Sequence, residues 1–277
     1  IMKIRNIIIG ILAPVALSGC VPHADVTPED FIRIDGTDLV APDGSVFFIK
    51  GTNLGNWLNP EGYMFGFSKT NSAGMIDQMF RELVGPDFTD EFWKLFKDNY
   101  ITREDIEFIA STGSNTIRVP FHYKLFTDED YMGLKSQQDG FKRLDDVIGW
   151  CREFGLYVIL DMHDAPGGQT GDNIDDSYGY PWLLESEASQ QLFCDIWREI
   201  ADYYKNEPVI LGYDLINEPI APHFDNMDEL NEKLEPLHKR VVAAIREVDT
   251  NHIILLGAPQ WNGNFKPFKD WTYDDKL

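Results

Sequence analysis

VILGYDLINEP, Val209–Pro219, is an apolar run that stops at three residues of a different kind: Asn217, Glu218 and Pro219. A short apolar run bounded this way reads as a strand buried on both faces, as parallel sheets require. Three more runs of the same kind lie around it. NTIRVP (Asn115–Pro120) and YVILDMH (Tyr157–His163) precede it, and HIILLGAP (His252–Pro259) follows. VFFIKGTN (Val46–Asn53) reads as a fifth strand ahead of them. Between the runs, apolar residues recur at helical spacing. One series is Leu144, Val147, Ile148, Cys151 and Phe154. A second is Leu192, Phe193, Ile196, Trp197 and Ile200, and a third is Val241, Val242, Ile245 and Val248. TRED (Thr102–Asp105) reads as a capping box that opens another helix, and Gly113 as its stop.

Strand-then-helix alternation predicts a parallel sheet covered by helices. Polar residues collect where each run ends: Arg118, Asp161 with His163, Asn217 with Glu218, and Gln260 with Trp261. A doubly wound sheet concentrates its chemistry at one crevice, whereas an α/β barrel spreads it over every strand end. The pattern therefore predicts a (β/α)8 barrel, of which this chain holds about the first five strand–helix units. Residues 31–50 carry two Asp-Gly turns, Asp35-Gly36 and Asp43-Gly44, and read as an N-terminal β-hairpin.

The 277 residues are 43% hydrophobic and 25% charged, with a formal net charge of −22. That composition fits a globular protein. A surface so acidic repels nucleic acid and polyanionic polysaccharides, so a neutral partner is expected. Lys3 and Arg5 precede an apolar run from Ile7 to Leu17, followed by LSGC ending at Cys20. Residues 1–20 thus read as a secretory signal, residues 21–30 as a tether, and residues 31–277 as the catalytic part. The LSGC ending resembles the lipobox of bacterial lipoproteins. It implies lipidation of Cys20 and a bacterial envelope location, anchored to the membrane through that lipid. Cys151 and Cys194 read as buried core thiols.

The motifs GTNLGNWL (Gly51–Leu58), NTIRVP, ILDMHDAPGGQ (Ile159–Gln169) and INEP (Ile216–Pro219) occur in one order. Together they make the chain resemble glycoside hydrolase family 5, the retaining glycosidases built on an α/β barrel. Within the family, the exo-acting β-1,3-glucanases and β-glucosidases look most similar. The resemblance implies that Glu218 is the general acid/base and that Asn217 binds the sugar 2-hydroxyl. It implies that Arg118 pairs with the nucleophile and that His163 lines the same pocket. Glu61 stands where the exo-glucanases have a glutamate that grips the terminal sugar, and Asp172 near a similarly placed aspartate. Trp182 and Trp261 follow strand ends, where flat aromatic faces suit sugar rings.

No cofactor is expected. APGGQTGD (Ala165–Asp172) is glycine-rich but lacks the Lys-Ser/Thr of a phosphate loop. His163 beside Asp164 raises a metal site, but no third ligand stands at metal spacing, so no metal is expected. In the resembling family the nucleophile is a glutamate on a seventh strand, which has no counterpart in this sequence. With Ile1 ahead of Met2, the expectation is a fragment of a longer protein, inactive by itself. The expected activity of the whole is hydrolysis of neutral β-glucan by double displacement. An endo-acting β-glucanase or mannanase of the same family, or a non-catalytic glycan-binding lipoprotein, are the alternatives.

Overall fold

A computed structural model describes residues 26–133, 137–172 and 174–277. The expected signal and Cys20, the expected lipidation site, lie outside these residues.

A short antiparallel hairpin comes first, β1 (Arg33–Asp35) and β2 (Asp38–Val40), turning at Gly36 with φ 64°. Five parallel strands follow in sequence order: β3 (Gly51–Asn53), β4 (Thr116–His122), β5 (Tyr157–Asp164), β6 (Ile210–Asp214) and β7 (Ile253–Leu255). Among the described residues six helices join them, α1 (Ala73–Val84), α2 (Pro86–Asn99), α3 (Arg103–Ser111), α4 (Gln137–Phe154), α5 (Glu187–Tyr204) and α6 (Met227–Arg246), and a left-handed turn at Pro259–Asn262 follows β7. In-order parallel strands joined by helices are the barrel topology the sequence predicts, carried over five strands among the described residues.

Each predicted helix face is buried. Leu144, Val147, Ile148 and Cys151 of α4 and Phe193, Ile196, Trp197 and Ile200 of α5 are 2% exposed or less. Side chains alternate across the sheet. Ile117, Val119, Val158, Leu160, Ile210 and Tyr213 pack toward the helices. Ile159, Leu211 and Ile253 point the other way, onto Ile32 and the hairpin. β3 is shorter than the expected strand because only Gly51–Asn53 pairs with β4. A β-carbon at Gly51 would lie 1.8 Å from the Thr116 carbonyl oxygen, so the two backbones meet there only because residue 51 is glycine.

The α1–α2 pair is absent from the sequence reading. Pro86 starts α2 directly after Gly85, which has φ 87°. Cys151 and Cys194 are buried free thiols. No helix among the described residues is long and apolar enough to cross a membrane.

Candidate active site

Register places the site. Between Val158 and Ile159 the pairing of β5 with β6 shifts, so that Val158 faces Ile210 but Ile159 faces Gly212. The irregularity at Leu211 turns Asp214 to the side that carries Arg118 and Asp161. Arg118 then meets both acids. Its Nη1 lies 2.9 Å from Asp161 Oδ2, its Nη2 2.8 Å from Asp214 Oδ2, and its Nε donates to Asp214 Oδ2 at 2.9 Å. Nη2 also donates to Asn217 Oδ1 at 3.1 Å. Among the described residues, the carboxylates that Arg118 meets are Asp161 and Asp214.

His163 extends this network. Its Nδ1 lies 2.6 Å from Asp161 Oδ2, and its Nε2 lies 3.2 Å from Asn217 Nδ2 and 3.5 Å from Glu61 Oε1. Burial opposes a charge on the ring, but Asp161 and Glu61 outweigh it and push its pKa up to about 10. A charged ring turns its Nε2–H to Glu61, and a neutral one accepts from Asn217. Asp214 is pushed up to about 7, by burial first and then by the charge of Asp161, against the pull of Arg118.

Glu218 follows β6 in a left-handed conformation, φ 45°, and Ile220 repeats it at φ 57°. For a β-branched residue this is strained backbone. The strain is held by backbone bonds: Ile220 N–H donates to the Gln169 carbonyl at 2.9 Å, and Gln260 N–H to the Ile220 carbonyl at 2.9 Å. Glu218 is half-buried. It lines a cavity of about 250 Å³ together with Asn217, Arg118, His163 and Glu61.

Five of the eight residues singled out for catalysis or substrate binding thus meet in one cavity. The other three do not line it. Asp172 borders a neighbouring cavity with Tyr178 and His223. Trp182 is 50% exposed and packs on Tyr180 with ring centroids 4.9 Å apart. Trp261 is 48% exposed, on left-handed backbone at φ 56°.

Tyr63 and Asn59 are among the residues of the cavity that the sequence reading did not single out. Tyr63, on a short turn at 62–65, borders it with Met64. Its hydroxyl pKa is raised by burial, by Glu61 and by the charge of Glu218. Asn59 lines the cavity with its amide buried, and neither amide atom has a partner. The signal for Tyr63 was its place two residues after Glu61.

Residues 78–274 match the family model described as cellulase, glycosyl hydrolase family 5. The chain belongs to glycosyl hydrolase family 5. It is 32% identical to a beta-xylosidase of Phanerodontia chrysosporium, over 87% of this chain and 48% of the relative. It is 34% identical to endoglucanase C of Acetivibrio thermocellus, over 62% and 46%. A probable glucan 1,3-beta-glucosidase A of Aspergillus fumigatus matches at 28%, over 82% and 54%. Among solved structures, rutinosidase from Aspergillus niger superposes with a TM-score of 0.65 at 19% identity, covering 77% of this chain and 63% of that one. That likeness is one of fold. The chain spans about half the length of the curated relatives it matches.

Proposed function

We propose that the protein containing this chain hydrolyses β-glycosidic bonds of a neutral glucan with retention of configuration, and that Glu218 is its general acid/base. The observation that carries this reading is the meeting of Glu218 and Asn217 with Arg118, His163 and Glu61 in one cavity at the strand ends. Glu218 gives its proton to the leaving glycosidic oxygen and later takes one from water. Arg118 holds Asn217 Oδ1, which leaves the amide Nδ2 as the donor toward a sugar hydroxyl. Glu61 and Tyr63 close the far side and grip the terminal sugar. A retaining pair needs a second carboxylate about 5–5.5 Å from the first. We take that second carboxylate to be a glutamate on the seventh strand of the complete eight-stranded barrel.

The net charge of −22 and a cavity of about 250 Å³ favour a neutral chain entered from one end. The xylosidase relative makes a β-xyloside the competing substrate. The test takes the full-length protein and its Glu218→Gln variant. With substrates of poor leaving group, the variant should lose several orders of magnitude in turnover. With activated aryl glycosides, which need little protonation, it should lose far less. Equal loss on both would remove Glu218 from the acid/base role. Glucose should lead the early products from intact β-glucan, and long oligosaccharides would show endo action instead. The anchor at Cys20 is part of the same proposal. Labelled fatty acid should enter the protein, and Cys20→Ala should abolish it.

A further inference from the structure

Behind the cavity, three side chains converge that the proposed reaction does not use. His122 ends β4, Asp164 ends β5, and Asp176 belongs to the loop that follows β5. One ligand atom from each lies within 4.8 Å of the other two. His122 Nε2 is 3.1 Å from Asp176 Oδ2 and 3.5 Å from Asp164 Oδ2. His122 and Asp164 are 0% and 2% exposed. Asp164 Oδ2 is buried, aims at this point, and has no hydrogen-bond partner. A carboxylate oxygen is costly to bury that way.

We propose that His122, Asp164 and Asp176 bind a divalent first-row transition ion, of which zinc is the type. Imidazole and carboxylate ligands bind such an ion at about 2.0–2.2 Å. With bonds of about 2.1 Å, the two measured separations correspond to angles of about 95° and 113° at the ion, both ordinary for this chemistry. Asp176 also lines the neighbouring cavity, where Asp172 and Asp175 make an acidic approach from solvent.

One bond opposes the ion. Lys124 N–H donates to His122 Nδ1 at 3.1 Å, which leaves the ring proton on Nε2, facing Asp176. Coordination through Nε2 moves that proton to Nδ1, and the turn at 123–126 loses its cap. The ion supplies in return what the cluster lacks: a positive charge between two carboxylates. It ties β4, β5 and the 165–179 loop at one point. The expectation of no metal rested on His163; the partners of Asp164 are instead His122, across the sheet, and Asp176, twelve residues downstream.

The experiment titrates the whole chain with ZnCl2 by calorimetry in excess Mg2+, which occupies exposed acidic groups. One saturable site is expected. His122→Ala and Asp164→Asn should each weaken it about a hundredfold, and His223→Ala, at the cavity rim, should leave it unchanged. Asp164→Asn keeps the side-chain shape, so its folding can be matched by circular dichroism. X-ray absorption of the zinc-loaded wild type should show an oxygen and nitrogen shell with one imidazole. No saturable site, binding that survives both variants, or a shell without an imidazole would each overturn the proposal.

Discussion

Arg118→Met is the substitution that tests the charge network most directly. It keeps much of the side-chain volume and removes the guanidinium bonded to Asp161, Asp214 and Asn217, so that Asp161 keeps His163 while Asp214 loses its ion-pair partner. Asp161 is 0% exposed and the Asp214 side chain 15%, so neither carboxylate can turn to water. Removing one partner of a buried ion pair costs about 3–5 kcal/mol, because the other charge stays buried without compensation. The loss should depend on pH, and its sign follows from the proton count. Without Arg118, the Asp214 carboxyl loses the cation that pulls its pKa down, so its folded-state pKa rises further above that of the unfolded chain. Asp214 already stands at about 7 with Arg118 in place. The folded variant therefore binds more protons than the unfolded one, and its stability falls as pH rises from the ordinary carboxylate range upward. Urea unfolding followed by tryptophan fluorescence should show the full loss at pH 8. At pH 5 the loss should be smaller by at least about 1.4 kcal/mol, the equivalent of one pKa unit. Arg118→Lys should fall between, since an ammonium replaces the charge but not the fork. A loss below about 1 kcal/mol at pH 8, or the same loss at both pH values, would refute the buried-pair account.

Lys97 is fully buried, donates to the Met132 carbonyl at 2.7 Å and lies over the rings of Trp93 and Tyr131. Burial pulls its pKa down to about 7, so the unfolded chain binds more protons between about pH 7 and 10.4 and stability should climb across that window. Lys97→Met should flatten the climb and raise stability at pH 6 by up to about 4–5 kcal/mol, less the lost hydrogen bond; an unchanged pH profile of the urea midpoint would count against it. In the full-length enzyme, Tyr63→Phe should raise KM roughly tenfold, about 1.4 kcal/mol of binding, with little change in kcat. A fall in kcat alone would give Tyr63 a part in the chemistry rather than in binding. Gly51→Ala should disrupt the β3–β4 pairing, seen as faster hydrogen exchange at Asn115 and Thr116, whose N–H groups donate to the Lys50 carbonyl.

Strands β4 to β7 and helices α3 to α6 were legible because their apolar residues follow one clear period. The α1–α2 pair was not. Phe88, Phe92 and Leu95 are exposed while Trp93 is buried and Phe96 packs against the core, so the large apolar residues of α2 are split between its buried and its exposed faces. Arg118, His163, Asn217 and Glu218 were legible as polar ends of apolar runs, and Glu61 through the family resemblance. What joins them was not. Asp214 reaches Arg118 only because the irregularity at Leu211 shifts its side, and periodicity cannot foresee an irregular residue. Trp182 and Trp261 fell outside the cavity because the path of a loop beyond a strand end is set by its own turns. For Trp261 these are three successive left-handed residues, Gln260 to Asn262.

The left-handed turn at Glu218 and Ile220 bears on how this chain can change over generations. Ile220→Gly would release the backbone from a conformation that isoleucine resists, but it would also empty a fully buried core position at a cost of about 2–5 kcal/mol. The same glycine widens the unfolded ensemble and frees the turn that aims Glu218. Backbone strain and side-chain packing thus pull on residue 220 in opposite directions, and the aim of Glu218 sides with packing. A lineage that relaxes one demand should reveal it by what it tolerates there. Glycine at 220 marks a chain in which aim no longer matters, and a β-branched residue there marks one in which it does.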